Sequence, residues 1–128
     1  MRDIDRISGD VLDTAIKLHK ELGPGLLESV YEMVLAGQLA KMGYSVARQV
    51  PVDVEFDGMR FEAAFRIDIM VEQRLLIEVK SVDQLHASHA KQLLTYLRLT
   101  DKRLGLLINF NVELIKHGIT RIVNNLQE

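Results

Sequence analysis

An Asp57-Gly58 pair separates two segments whose apolar residues keep opposite parity, and no other feature constrains the fold as much. Before it, Val50, Val52, Val54 and Phe56 alternate with Gln49, Pro51, Asp53 and Glu55, the period of two of a strand with one covered face. After it, the apolar set falls on odd numbers: Met59, Phe61, Ala63, Phe65, Ile67, Ile69 and Val71. Asp-Gly tolerates the positive φ angles of a two-residue hairpin turn. Such a turn pairs Phe56 with Met59 and Val54 with Phe61. Even apolar positions then face odd ones, as one buried sheet face requires. The segment reads as an antiparallel hairpin.

Helical spacing flanks it. Val11, Ala15, Leu18 and Leu22 form an apolar stripe within Ile7–Leu22, and Gly23-Pro24-Gly25 breaks the chain after it. A second helix is expected from about Leu26 to Met42, with Val30, Val34 and Leu35 apolar and Gly43 as its stop. A polar turn at Glu72-Gln73-Arg74 leads into a strand from Leu75 to Lys80, then a helix over roughly His86–Leu99 carrying Ala90, Leu93, Leu94 and Leu97. Leu104–Phe110 is a short continuous apolar run, expected to be a strand buried on both faces. Residues Glu113 to Asn125 add a further short strand or helix. The order α-α-β-β-β-α-β plus a tail predicts an α/β fold, a mixed sheet with helices on its faces.

The 128 residues contain no repeat or linker and are expected to form a single domain over 1–128. No apolar run approaches a membrane span, and the charged start Met-Arg-Asp-Ile-Asp-Arg lacks the apolar stretch of a secretory signal. With no cysteine, disulfide frameworks and thiolate metal sites are excluded. A cytoplasmic protein is expected. The net charge of −2 argues against holding nucleic acid by phosphate neutralisation alone, so any such contact must be local or come from an oligomer or partner.

The chemistry concentrates on the strands after the hairpin turn. Asp68 sits on the polar face of its strand, between Arg66 and Met70. In Leu75–Lys80, Glu78 and Lys80 share one face while Ile77 and Val79 share the other. Closing a three-residue loop pairs Val71 with Leu75 and brings Asp68 opposite Glu78. Opposed Cβ atoms lie roughly 4.5–5.5 Å apart, so two bare carboxylates there repel each other. A divalent cation such as Mg²⁺ turns that repulsion into binding. Lys80 is then placed to orient a water or to balance charge in a phosphoryl transition state. The competing reading is an ordinary solvated hairpin face.

Helical residues join this set by spacing. Glu28 and Tyr31 are three apart on the second helix, and Gln92 and Tyr96 four apart on the third, so each pair shares a face. Glu28 also suits the helix dipole, and either tyrosine suits half-buried packing with its hydroxyl at the surface. His86 and His89 have a spacing that can bind metal, but two histidines alone read better as polar helix-start residues. His19 and His117 are isolated. Lys91, Arg98, Lys102 and Arg103 form a modest basic cluster near a helix end, either a solvated terminus or a nucleic-acid contact.

Glu28, Asp68 and Glu78-Val79-Lys80 resemble the acidic helix residue, the aspartate and the E-x-K of the PD-(D/E)XK nuclease superfamily. Gln92 and Tyr96 resemble the Q-x-x-x-Y of its exonuclease branch. More closely, Leu22–Tyr31 and Gly105–Phe110 look like the GxxExxY family of small bacterial and archaeal proteins, a resemblance spanning nearly the whole chain. It implies a restriction-endonuclease-like core. It also implies metal-dependent hydrolysis of nucleic-acid phosphodiesters, DNA first, by Asp68, Glu78, Glu28 and Lys80 as catalytic residues. Mg²⁺ or Mn²⁺ would be held by Asp68, Glu78 and the Val79 carbonyl, with Glu28 directly or through water. Tyr31, Gln92 and Tyr96 would steady the site or touch a phosphate. A homodimer or a partner protein would supply specificity. The alternative is a non-catalytic nucleic-acid- or protein-binding module that keeps the fold.

Overall fold

The computed structural model describes residues 3–126; Met1, Arg2, Gln127 and Glu128 lie outside the described residues, so the charged start is described only from Asp3. The elements are α1 (Ile4–Leu22), α2 (Glu28–Lys41), β1 (Val46–Phe56), β2 (Met59–Val71), β3 (Leu75–Lys80), α3 (Ala87–Thr100), β4 (Leu104–Asn109), a 3-10 turn (Ile115–Gly118) and β5 (Ile119–Val123). The strands form one sheet in chain order, antiparallel except for β3 and β4, whose parallel pairing needs the α3 crossover between them. The fold is the expected α/β arrangement, and the tail left open between strand and helix contains a helical turn and then a strand.

Helix α1 begins three residues ahead of its expected start because Asp3 caps it, its carboxylate accepting from the Asp5 N–H at 3.1 Å. Ile4, Ile7, Val11, Ala15 and Leu18 form the buried stripe, whereas Leu22, counted in that stripe from its spacing, is 42% exposed at the end of the helix. Gly23 (φ 70) and Gly43 (φ 98) stand just beyond the two helices in conformations that a side chain would strain. Helices α1 and α2 pack on one sheet face with Leu75, Ile77, Val79, Leu104, Leu106 and Ile108. Helix α3 covers the other face, where Leu93 and Leu97 meet Ile67, Leu76 and Leu107. Strands β3 and β4 are therefore apolar on both sides.

The hairpin keeps the expected pairs Phe56 to Met59 and Val54 to Phe61, but farther in Val52 pairs with Phe65. Two extra residues of β2 bulge out between those pairs, and Ala63 takes φ 49. Asp53 spans the bulge: it accepts from the Ala63 N–H at 2.8 Å and pairs with the Arg60 guanidinium. These two hydrogen bonds, the backbone one foremost, hold its carboxyl below the ordinary aspartate value. The expected single buried face is not kept: burial is confined to the base of the hairpin and there divides between the two sheet faces, Ile67 toward α3 and Ile69 and Val71 toward α1 and α2. Ile67, Ile69 and Val71 are buried, while Phe56, Met59 and Phe61 are 74%, 60% and 46% exposed, because no helix covers the outer half.

Behind β4, Gly118 backs onto the main chain so closely that a Cβ there would lie 2.1 Å from the Asn109 carbonyl oxygen. Backbone cannot yield as a flexible side chain would. Gly118→Ala is expected to cost at least ~2 kcal/mol, read as a lower urea midpoint at unchanged slope.

Candidate functional site

Strands β2 and β3 carry the centre of the site. Their ladder holds the expected register, with Val71 opposite Leu75, Met70 opposite Leu76 and Ile69 opposite Ile77. It stops one step short of Asp68 and Glu78. There a side chain takes over from the backbone: Asp68 Oδ2 accepts from the Val79 N–H at 2.9 Å. The strand also changes sides at this point. Ile69 and Val71 pack toward α1 and α2, while Phe65 and Ile67 pack toward α3. Asp68 lies at the crossing, against the carboxyl of Glu78.

Glu78 is only 6% exposed, and its Oε1 has no hydrogen-bond partner. Burial foremost, then the hydrogen bond and negative charge of Asp68, push its carboxyl up to about 9, against a partial pull downward from Lys80. Tyr96, stacked on Phe65 at 4.0 Å, has its hydroxyl pushed up by burial and then by the charges of Glu78 and Asp68. The α3 tyrosine thus stands within electrostatic reach of both carboxylates.

Helix α2 brings its first turn to the same place. Leu26 and Ser81 link it to the end of β3, with Ser81 Oγ donating to the Leu26 carbonyl at 2.7 Å. Tyr31 is fully buried and stacks on Phe110 at 4.5 Å. Its hydroxyl donates to the Gly23 carbonyl and accepts from the Leu26 N–H at 3.2 Å, which shapes the loop that starts α2. Half-buried packing with a surface hydroxyl, the alternative open for this residue, does not describe it. Tyr31→Phe leaves those two backbone groups short of a partner; a loss of about 1–3 kcal/mol is expected, measured by thermal unfolding. Asn109, 2% exposed, fixes the chain just beyond Lys80: its Oδ1 accepts from Val82 N–H at 3.1 Å and its Nδ2 donates to the Val82 carbonyl at 2.9 Å.

Glu28, Asp68, Val79 and Lys80 line one cleft of about 430 Å³ together with Ser29, Glu32 and Gln49. Glu78 lies buried beside Asp68, and Tyr31 supports the cleft from within the core. Gln92 is exposed on α3, one turn before Tyr96, and does not line the cleft. Among the described residues, no three His, Cys, Asp or Glu side chains converge closely enough to hold an ion. Glu28 therefore does not complete a three-carboxylate cage with Asp68 and Glu78. His89 Nδ1 accepts from the His86 N–H at 3.1 Å at the start of α3, the helix-start role read for the pair. His19, given no role from the sequence, is buried and bonds the Val112 carbonyl at 2.8 Å, tying α1 to the chain after β4.

Three residues of the site region escaped the sequence reading. Glu32 follows Glu28 by four and so shares its helix face, a signal that was present. Asn109 was visible as a polar residue inside an apolar run. Gln49 had no signal, being one of several polar residues on an alternating strand.

The donors here are carboxylate and carbonyl oxygens, the ligands of a hard divalent cation. The bare Glu78 Oε1 and the crowding of two carboxylates are what such an ion relieves, so these residues fit one. Neither a curated protein nor a solved structure matches the chain. A family model described as PD-(D/E)XK nuclease superfamily matches residues 5–122, which include every residue of the cleft. That match covers most of the 128 residues, and the mixed sheet accords with it: the chain belongs to the PD-(D/E)XK nuclease superfamily.

Proposed function

We propose that the protein is a divalent-metal-dependent nuclease that hydrolyses phosphodiester bonds of nucleic acid, with DNA the first substrate to test, and that within the superfamily it is a GxxExxY protein. The observation that carries this reading is the buried, partnerless Glu78 Oε1 beside Asp68, at the edge of a cleft that Lys80 enters. Asp68, Glu78 and the Val79 carbonyl would hold Mg²⁺ or Mn²⁺, with Glu28 facing the same cleft. The bound ion supplies Lewis acidity and a more acidic attacking water. Lys80, two residues from Glu78, orients that water and offsets charge developing on the phosphate. Tyr96 and Gln92, on the α3 side, meet phosphate oxygens. The net charge of −2 gives little general attraction for a polyanion, so a second copy or a partner protein supplies grip and specificity. No helix among the described residues is long and apolar enough to cross a membrane, and the reading places the protein in the cytoplasm.

The acidic balance also supports a second reading, a binding module that keeps the fold without cutting. Hydrolysis of single- and double-stranded DNA and RNA with Mg²⁺ or Mn²⁺ separates the two. Cleavage by wild type that Asp68→Ala and Lys80→Ala lose supports the nuclease; equal behaviour of all three proteins excludes it.

A further inference from the structure

A polar chain runs from the buried Glu32 of α2 across the surface of β1 to Asp68, through residues that the proposed reaction leaves unused. Glu32 is 5% exposed, and its carboxylate is fully engaged. Oε2 accepts from Arg48 Nε at 3.0 Å and pairs with Nη2 at 2.9 Å, while Oε1 accepts from Gln49 Nε2 at 2.7 Å. The same Gln49 Nε2 lies 3.4 Å from Asp68 Oδ1, at the long end of the hydrogen-bond range. Asp68 Oδ2 is the atom that accepts from the Val79 N–H. Both oxygens of Asp68 are thus held, one by the backbone of β3 and one through Gln49 by α2.

The backbone of Gln49 is unusual at the point where it meets Asp68. It takes φ 52 inside β1, yet its neighbours Arg48 and Val50 keep an unbroken register with Ile69 and Ile67. A left-handed residue within a continuing ladder costs free energy and here inserts no residue; it stands where β1 changes sheet face, Val46 packing toward α1 and α2 and Val50 and Val52 toward α3, opposite the same change in β2 at Asp68. The carboxamide has two N–H donors and meets two carboxylates, which fixes which way its amide points. It screens Glu32 from Asp68 without adding positive charge. A lysine or arginine there would neutralise the carboxylates that a cation needs, and the nearby Arg48 is taken up by Glu32 instead.

We propose that Gln49, itself held by Glu32, is a positioning residue for Asp68: it fixes the carboxylate rotamer so that the site is formed before an ion arrives. Its value for an ion rests on the metal reading above, while its effect on Asp68 does not. Groups one shell out from a metal ligand commonly change affinity about 10- to 100-fold when removed.

Gln49→Gly is the informative variant, because glycine adopts φ 52 without strain. It removes the contact while relieving the backbone. Amide hydrogen exchange at Val79 in metal-free protein reads the Asp68 contact directly, and Mn²⁺ calorimetry reads the site. Gln49→Gly is expected to speed Val79 exchange roughly tenfold and to weaken Mn²⁺ binding about tenfold, while the relieved backbone offsets part of the stability lost with the Glu32 hydrogen bond. Glu32→Ala should have the same two effects, and Glu32→Gln, which keeps an acceptor for Gln49, should return most of the Val79 protection. Unchanged Val79 exchange in Gln49→Gly overturns the proposal. Faster exchange alongside a wild type that binds no Mn²⁺ upholds the positioning of Asp68 and removes the metal reading instead.

Discussion

Asp68→Ala is expected to abolish Mn²⁺ binding and to lower cleavage by about 10³-fold or more, whereas Lys80→Ala keeps the ion and still loses roughly 10²- to 10³-fold in turnover. The two losses differ in kind because the residues do different things. Asp68 joins β2 to β3 through the Val79 N–H and stands against Glu78, so removing it leaves one buried carboxylate and no paired donor set. Lys80 lines the cleft from the end of β3, and its backbone carbonyl accepts from the Phe110 N–H at 2.9 Å, a bond that any side chain at this position preserves. Truncating it removes one positive charge from the neighbourhood of two carboxylates, so metal affinity should hold or rise. Calorimetry beside single-turnover cleavage checks the split. Loss of Mn²⁺ binding in Lys80→Ala would show the lysine to be part of the scaffold, and full turnover would show it to be idle.

The second large effect concerns stability without metal. Glu78→Gln should make the ion-free protein more stable at neutral and alkaline pH by an amount on the order of a few kcal/mol. The sign follows from proton binding. Burial and Asp68 raise the folded carboxyl to about 9 from 4.5, so the folded chain retains a proton that the unfolded chain releases above 4.5. Stability from this group is therefore whole below 4.5 and declines as pH rises toward about 9, where the folded carboxyl also ionises. Glutamine has the same shape, stays neutral, and offers an N–H to Asp68. Urea unfolding in a chelator from pH 5 to 9 should show a falling midpoint for wild type and a flatter one for Glu78→Gln. Adding Mn²⁺ should raise the wild-type midpoint and leave that of the variant in place, since only an ion that binds the folded state stabilises it. Parallel pH profiles for the two proteins would remove the buried-carboxylate account of the site.

Much of this was legible from apolar parity. The Asp57-Gly58 turn, the pairing of Val54 with Phe61 and the 71–75 closure all follow from asking which register leaves one face apolar, and the ladder confirms them. The bulge of β2 was not legible for a related reason: it adds two residues, an even number, so the alternation continues through Ala63 undisturbed. Exposure of Phe56, Met59 and Phe61 was hidden because alternation reports which face a residue shares, not whether a helix reaches far enough to cover it. At the site, spacing brought Asp68 toward Glu78 but could not show that the carboxylate of Asp68 replaces the ladder by binding Val79. Spacing set Tyr31 and Glu28 near one another on α2, yet could not show that one turns into the core and the other into the cleft. Gln49 lay furthest out of reach, since its part depends on a φ of 52 that nothing in an alternating strand announces.

The most direct test is a crystal soaked in Mn²⁺ and measured for anomalous scattering. A peak is expected between the carboxylates of Asp68 and Glu78, with oxygen ligands at about 2.0–2.2 Å that include the Val79 carbonyl and a water reaching toward Glu28. A peak at His86 and His89, or none at Asp68 and Glu78 with Mn²⁺ at saturating concentration, would contradict a metal centre on β2 and β3.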